Sequence, residues 1–262
     1  MTTSTESRPA GDPIPDDGTT PWIRRYHPTR SATRRLVCFP HAGGSASYFH
    51  PVSARFPDDD VVALQYPGRQ DRRHEPCVTD IDELADLIAA ELSRLSSLPT
   101  VFFGHSMGAT LAFETAWRLE RDGAGPGAVV VSGRRGPTTS RDEAVHELDD
   151  DGVLAEITLL DGTDSAVLAD DEVLRMSLPA IRGDYTAIEG YRWTPGRTLS
   201  CPLVSLTGDA DPRTTVEEAA AWSEVATGGF RSRVFPGGHF FIAAQAAAVQ
   251  AELARELDGV AR

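Results

Sequence analysis

The feature that most constrains the fold of this chain is an alternation of short apolar runs with longer segments of helical periodicity. The apolar runs are rich in β-branched and aromatic residues. They read RLVCF (35–39), VVALQY (61–66), TVFFG (100–104), GAVVVSG (127–133), PLVSLTG (202–208) and SRVFPG (232–237). Runs of this length, bounded by glycine or proline, are typical of strands buried on both faces of a parallel sheet.

The segments between these runs have the spacing of amphipathic helices. They cover residues 80–95, where Ile81, Leu84 and Ile88 fall on one stripe, residues 107–123, and the Ala-rich stretch 240–257. Apolar residues at such intervals cover one face of a helix. Strands that alternate with helices predict an α/β fold, in which a mostly parallel central sheet carries helices on both faces.

Two segments depart from this pattern. Residues 1–20 are rich in Thr, Ser, Pro, Gly and Asp, and a segment with so little apolar surface predicts a flexible N-terminal tail ahead of one domain over 21–262. Residues 140–192 contain helix-like runs and no strand-like run. They predict a helical insertion above the sheet, which serves either as a lid over a site or as a plain pair of surface helices.

The composition excludes several classes of function. A formal net charge of −14 over 262 residues argues against nucleic-acid binding, because phosphates require a basic face. Three cysteines without a C-x-x-C pair indicate neither a disulfide framework nor a zinc site. No apolar run reaches the roughly 20 residues of a membrane span, and the N-terminus lacks the apolar stretch of a signal peptide. These features predict a cytoplasmic protein without a membrane partner.

The strongest chemical signal is Gly-His-Ser-Met-Gly at 104–108, between a predicted strand and a predicted helix. This is the context of a nucleophile elbow, a sharp turn in which glycines at 104 and 108 avoid collisions and the Ser106 hydroxyl projects freely. A serine before a helix is more commonly a helix cap. The surrounding strand and glycines favour the nucleophile.

A serine nucleophile requires a base, and the base requires an orienting acid. Among seven histidines, His239 lies in a Gly-rich loop between the last predicted strand and the last helix. Asp209 and Asp211 follow the preceding strand. Carboxyl ends of parallel strands meet at one edge of the sheet, so these groups are expected near Ser106. We predict Asp211 as the partner of His239 and Asp209 as a turn residue.

Acyl transfer also requires donors for the developing oxyanion. The backbone N–H of Met107, next after the nucleophile, is one candidate. The other is the backbone N–H of Ala42, in the Gly-rich segment PHAGGSASYF (40–49) after the first predicted strand. An ordinary loop would explain the glycines, but not their position beside the elbow.

Five segments, in order along residues 36–242, resemble the type II thioesterases, the stand-alone editing hydrolases of polyketide and non-ribosomal peptide synthesis. They are CFPHAGGSASYF, LQYPGRQDR, FFGHSMGATLAFE, LTGDADP and GGHFF. The resemblance implies an α/β-hydrolase fold with a helical lid, no metal and no organic cofactor. It also implies hydrolysis of acyl groups from the phosphopantetheine arm of acyl or peptidyl carrier proteins, with Ser106 acylated, His239 as base and acid, and Asp211 as its partner.

Three other functions share parts of this pattern. A carboxylesterase or lipase would have the same elbow and triad, and an acyltransferase or cyclising thioesterase a related architecture. A non-catalytic hydrolase-like binding protein is the third.

Because acidic carrier proteins would meet a chain of net charge −14, we also expect a local arginine cluster, Arg69, Arg72 and Arg73, to contribute to carrier docking.

Overall fold

The strands form a single sheet in the computed structural model of the chain, which describes residues 20–161 and 171–261. Within those residues the sheet has seven strands in the order β1-β3-β2-β4-β5-β6-β7, and only β1 is antiparallel to its neighbour. Their bounds are β1 (Ile23–Arg24), β2 (Arg35–Phe39), β3 (Asp60–Leu64), β4 (Thr100–His105), β5 (Ala128–Ser132), β6 (Leu203–Gly208) and β7 (Phe230–Phe235). The six predicted strands and the mostly parallel sheet are confirmed, whereas β1 was not predicted.

The helices follow the predicted alternation. They are α1 (His50–Arg55), α2 (Ile81–Leu92), α3 (Met107–Arg121), α4 (Asp150–Asp161), α5 (Asp171–Gly190), α6 (Val216–Ala220), α7 (Phe241–Ala244) and α8 (Ala246–Val260). The single helix predicted over 240–257 is instead two helices that meet at Gln245. The predicted insertion consists mainly of α4 and α5, while the predicted tail lies outside the described residues except for Thr20.

Two apolar cores cover the faces of the sheet, and successive residues of a strand point into different cores. In β5, Val129 and Val131 face the core that contains α2 and α3, while Ala128 and Val130 face the core that contains α8. Burial on both faces explains why the strands are continuous apolar runs without polar alternation.

The order of the strands creates a switch point at the carboxyl edge of the sheet, between β2 and β4. From β2 the chain continues to β3 on one side, and from β4 it continues through β5, β6 and β7 on the other. The loops that leave β2 and β4 therefore separate at a topological switch point, which is where open α/β sheets bind their ligands. No helix within the described residues is long and apolar enough to cross a membrane.

The end of the insertion is fixed to α3 by a buried carboxylate. Glu114 is fully buried and accepts hydrogen bonds from Tyr191 (2.6 Å), Arg197 (2.7 Å) and Arg118 (2.7 Å). Charged hydrogen bonds of this kind stabilise only when the buried charge is fully partnered, as it is here. The chain therefore leaves α5 on a defined path back to the sheet.

Candidate active site

Ser106 occupies the turn between β4 and α3 in a backbone conformation that L-residues rarely adopt. Its φ is +55° and its ψ is −120°. Its backbone N–H donates to the Ser132 carbonyl at 2.8 Å, which fixes the turn on β5. Strained backbone of this kind concentrates at functional sites, because surrounding structure must hold it in place. The half-buried side chain faces a cavity.

The two glycines of the turn are required by close backbone approaches. A Cβ on Gly104 would lie 2.1 Å from the Gly108 carbonyl oxygen, and a Cβ on Gly108 would lie 2.1 Å from the carbonyl oxygen of Phe39. Both contacts are with backbone, which cannot move aside as a side chain can. The predicted steric reason for Gly104 and Gly108 is therefore confirmed: any larger residue would separate α3 from β4 or β2.

Asp211 and His239 lie together at the edge of the sheet, although 28 residues separate them in the chain. Asp211 Oδ2 is 2.9 Å from His239 Nδ1, and both side chains are buried. Asp211 Oδ1 also accepts the backbone N–H of Arg213 at 2.8 Å. With one oxygen held by the backbone and the other on the ring, the carboxylate can fix the orientation of the imidazole.

Asp209 has a different position from Asp211. It is exposed, and its Oδ1 accepts the backbone N–H of Gly237 at 2.9 Å. The Ala210 N–H donates to the Gly237 carbonyl at 3.0 Å. A Cβ on Gly208 would lie 2.4 Å from that same oxygen, so the loops after β6 and β7 pack in direct contact. Asp209 thus ties together the loops that carry Asp211 and His239.

The loop after β2 borders the same cavity as the elbow. This cavity has a volume of about 30 Å³ and is lined by Ser106, His239, Ala42 and Met107. The structure therefore brings the two predicted donor residues to the nucleophile and the base. An acyl-transfer oxyanion is stabilised by two N–H donors beside the nucleophile, so these two residues remain the candidates for that role.

The segment LQYPGRQDR holds the loop after β2 in place through hydrogen bonds of buried side chains. Gln65 Oε1 accepts the Ala46 N–H at 2.8 Å, and the Tyr66 hydroxyl donates to the Pro40 carbonyl at 3.3 Å. Arg69 donates to the Gly44 carbonyl at 3.0 Å. All three of these side chains are buried. The second and first segments of the resemblance thus form one structural unit.

The predicted arginine docking cluster is wrong for two of its three members. Arg69 and Arg72 are each only 6% exposed. Arg69 pairs with Asp184, and Arg72 donates to Glu75 at 2.8 Å and to the Gln65 carbonyl at 2.8 Å. Only Arg73 is exposed. Sequence position alone suggested a surface cluster, whereas buried carboxylate and carbonyl partners draw two guanidinium groups inward.

Arg134 places a positively charged guanidinium group in the lining of the cavity. It lines the cavity beside Ser106 and an adjoining cavity of about 200 Å³. Its neighbour Arg135 pairs with Glu143 at 2.6 Å, but within residues 20–161 and 171–261 the Arg134 guanidinium has no such carboxylate. Burial, with the nearby charge of Arg135, lowers the pKa of Arg134 to about 10. Its N–H groups are therefore available to oxygen acceptors of a bound substrate.

Two further histidines, His105 and His41, lie near His239, and burial keeps both rings neutral. The His105 ring is fully buried, 5.1 Å from the His239 ring, with Nδ1 3.1 Å from Ser132 Oγ. Burial, together with the neighbouring His239 and His41, lowers the pKa of His105 well below its usual range. Burial also lowers the pKa of His41 to about 3. Among the residues that the structure describes, neither ring pairs with a carboxylate as His239 does with Asp211.

We expect acid to destabilise the fold through His105. An unfolded histidine binds a proton below about pH 6.5, whereas the buried ring stays neutral, so stability is lost as pH falls. The loss is up to about 1.4 kcal/mol per pH unit for each such ring. Thermal unfolding between pH 7.5 and 5.5 should therefore show a smaller loss for His105→Gln than for the wild type. Equal losses in the two proteins would contradict this account, since carboxylates titrate mainly below this range.

The sequence pattern predicted neither Arg134, which lines the cavity, nor Asp184, which pairs with Arg69 beneath the loop after β2. Asp184 lies in a helical stretch in which acids are common and Arg134 follows a strand as one of a pair. The position of Arg134 directly after a strand, at the edge where Ser106 was expected, is a signal that could have been used. No local signal distinguishes Asp184, whose partner Arg69 is 115 residues away.

Comparison with known proteins identifies the family of this chain. The thioesterase domain family matches residues 34–258. A probable cadicidin biosynthesis thioesterase of Streptomyces griseus is 62% identical over 243 residues, which cover 92% of this chain and 67% of the relative. Thioesterase PikA5 of Streptomyces venezuelae is 49% identical over 224 residues, which cover 84% of this chain and 80% of the relative.

A solved structure shows the same fold. The type II thioesterase BorB from the borrelidin biosynthetic cluster matches with a TM-score of 0.88 at 48% identity, over 91% of this chain and 98% of BorB. The α/β fold predicted from the alternating pattern is confirmed. The resemblance to type II thioesterases and the α/β-hydrolase fold that it implies are confirmed as well. The chain belongs to the thioesterase family and is an enzyme that hydrolyses thioesters.

Proposed function

We propose that this enzyme removes acyl groups from the phosphopantetheine arms of carrier proteins in polyketide or non-ribosomal peptide synthesis, and so clears aberrant or stalled units. The pairing of Asp211 with His239 at 2.9 Å, in the wall of the cavity that Ser106 faces, is the observation that carries the chemistry. The relatives whose printed names give a biosynthetic pathway or cluster support the carrier-bound substrate. Such a role also places the enzyme in the cytoplasm.

The first half-reaction acylates Ser106. His239 Nε2 accepts the hydroxyl proton as Ser106 Oγ attacks the thioester carbonyl, and Asp211 stabilises the imidazolium that forms. The N–H groups of Ala42 and Met107 bind the oxyanion of the tetrahedral intermediate. The carbon–sulfur bond then breaks and the pantetheine leaves as a thiolate. The His239 imidazolium gives its proton to this thiolate, so that His239 is neutral again before the second half-reaction.

The second half-reaction releases the acyl group as a free acid. His239 removes a proton from a water molecule, which attacks the acyl carbon of the Ser106 ester. The same N–H groups bind the second oxyanion, and His239 returns the proton to Ser106 Oγ as the ester bond breaks. Neither half-reaction requires a metal or an organic cofactor.

The helical insertion serves as the lid in this proposal. The cavity of about 30 Å³ beside Ser106 has room for no more than a few water molecules. Part of its wall comes from the insertion, namely from Leu160 of α4 and from Tyr185 and Ile188 of α5. We infer that part of the insertion moves to admit the acyl chain beside Ser106, as lids do in other enzymes.

A comparison of matched substrates tests the function. The same acyl group is presented on a carrier protein, as a cysteamine thioester, and as the corresponding oxygen ester. We expect kcat/KM to be highest for the carrier-bound thioester, by at least about tenfold over the cysteamine thioester, because the arm and carrier add binding energy away from the reacting carbon. The measurement is release of free acid.

The other outcomes identify the alternatives. Faster hydrolysis of the oxygen ester than of either thioester would indicate a carboxylesterase or lipase. A cyclised or transferred product in place of the free acid would indicate an acyltransferase or cyclising thioesterase. Absence of turnover on all three substrates, with no labelling by a fluorophosphonate, would indicate a non-catalytic binding protein.

A further inference from the structure

The side chain of Asp184 joins the insertion to the loop that carries Ala42. Asp184 lies on α5 and is 1% exposed. Its Oδ2 accepts the backbone N–H of Gly43 at 2.7 Å, although 141 residues separate the two in the chain. A charged acceptor on a backbone N–H makes a stronger hydrogen bond than a neutral one.

Arg69 completes a closed cluster with these groups. It binds Asp184 with two hydrogen bonds, of 2.6 Å to Oδ2 and 2.8 Å to Oδ1, and donates to the Gly44 carbonyl at 3.0 Å. Both members of this ion pair are buried. The cluster therefore holds the loop at the N–H of Gly43 and at the carbonyl of Gly44.

The loop has the form of a tight turn whose central peptide could point in either direction. The Gly44 N–H donates to the His41 carbonyl at 2.9 Å, and Gly43 has a φ of +73°. This fits a type II turn, which differs from a type I turn mainly by rotation of the peptide between its second and third residues. Asp184 accepts the N–H of that peptide and so favours one orientation.

Helix α5 also packs closely against the turn at Gly43. A Cβ on Gly43 would lie 2.4 Å from Cγ1 of Ile181, which is on α5 three residues before Asp184. The turn is thus shaped by α5 through both a steric contact and a charged hydrogen bond. The Ala42 N–H belongs to the preceding peptide, whose carbonyl, that of His41, accepts the Gly44 N–H. Its direction therefore depends on where the whole turn is held and not on the central peptide alone.

We propose that Asp184 is a positioning residue, which orients the Ala42 N–H toward the oxyanion by holding the turn over residues 41–44, with Arg69 holding Asp184. This inference rests on the proposed acyl-enzyme chemistry at Ser106, but not on the identity of the carrier. It gives α5 a role beyond that of a cover: the insertion sets the geometry of the oxyanion site. The segment LQYPGRQDR contributes through Arg69.

The test uses a short acyl-cysteamine thioester, so that carrier recognition plays no part. We expect Asp184→Ala to lower kcat by about 10- to 100-fold, a partial loss of one oxyanion donor. KM should change by less than about threefold, because the donor acts mainly in the transition state. Affinity for an alkyl boronic acid, which forms a tetrahedral adduct with the serine, should fall by the same factor as kcat/KM.

Two further variants separate the hydrogen bond from the buried charge. Asp184→Asn keeps an oxygen acceptor for the Gly43 N–H and should keep kcat within about fivefold of the wild type. The double variant Arg69→Met/Asp184→Leu removes both charges together, which buried ion pairs tolerate better than loss of one partner. It should unfold near the wild-type temperature but show the low kcat and weak boronate binding of Asp184→Ala.

The matched control is Arg182→Gln on the same helix. Arg182 donates to the carbonyls of His146 (2.6 Å) and Leu148 (2.5 Å) and to Asp150 at 2.9 Å, away from the turn. It should retain kcat and boronate affinity even if it unfolds at a lower temperature. A folded double variant with wild-type kcat would overturn the inference. Failure of the proposed function would be seen separately, as a wild-type enzyme without thioester turnover or labelling of Ser106.

Discussion

Replacing Ser106 with alanine is expected to lower kcat for thioester hydrolysis by about 10⁴- to 10⁶-fold, because no acyl-enzyme can form without its hydroxyl. The substitution keeps the Cβ and therefore the backbone constraints at this position. KM for the residual reaction and the thermal unfolding temperature should stay close to those of the wild type. The measurement is single-turnover release of free acid, with fluorophosphonate labelling as an independent readout.

The matched control is Ser106→Gly, which removes the same hydroxyl but also removes the Cβ. At φ +55° and ψ −120°, glycine is under less strain than alanine or serine. Strained residues cost about 1–3 kcal/mol, and the greater freedom of glycine in the unfolded chain offsets up to about 1 kcal/mol of the relief. Ser106→Gly should therefore be as inactive as Ser106→Ala and unfold at a higher temperature.

The two variants separate chemistry from backbone strain. Residual activity above about one thousandth of the wild type in both would mean that Ser106 is not the nucleophile. Lower stability for Ser106→Gly than for Ser106→Ala would mean that the turn is not strained. Since activity and stability are measured on the same proteins, each claim fails or stands by itself.

The sequence was most informative where one physical requirement dominates a segment. Burial on both faces makes strands such as β5 continuous apolar runs, and close backbone approach requires glycine at 104 and 108. These requirements are local and can be read from a few neighbouring residues. They were sufficient to predict the α/β fold and to direct attention to one edge of the sheet.

Features that depend on distant partners could not be predicted in the same way. Strand β1 has two residues and exists through antiparallel pairing of Ile23 with Leu64 and Arg24 with Ala63, which no pattern within 23–24 reveals. Arg69 was assigned to the surface because arginines are mostly exposed, but Asp184 on α5 provides a buried partner. The position of Asp211 directly after a strand was a local signal, whereas the place of Arg69 could be known only with its partner.

The second large effect on kcat is expected at Asp211, whose role differs from that of the neighbouring acid Asp209. We expect Asp211→Asn to lower kcat by about 10⁴-fold, because an amide in place of the carboxylate can hold the imidazole in the wrong tautomer and cannot stabilise the imidazolium. Asp211 Oδ2 lies 2.9 Å from His239 Nδ1 within a buried site, so solvent cannot substitute for the lost charge. The measurement is kcat for a short acyl-cysteamine thioester across pH.

Asp209→Asn provides the matched control, with the same chemical change two residues away. Asp209 is exposed and accepts the Gly237 N–H at 2.9 Å, a bond that an amide oxygen can also accept. Its kcat should stay within about threefold of the wild type, since this exposed carboxylate only accepts the Gly237 N–H and so contributes to loop packing alone. If Asp209→Asn were the inactive variant and Asp211→Asn the active one, the buried pair would not be the one that orients His239. The contrast is decisive because both acids border the same loop, so a general disturbance of that loop would lower the two rates together.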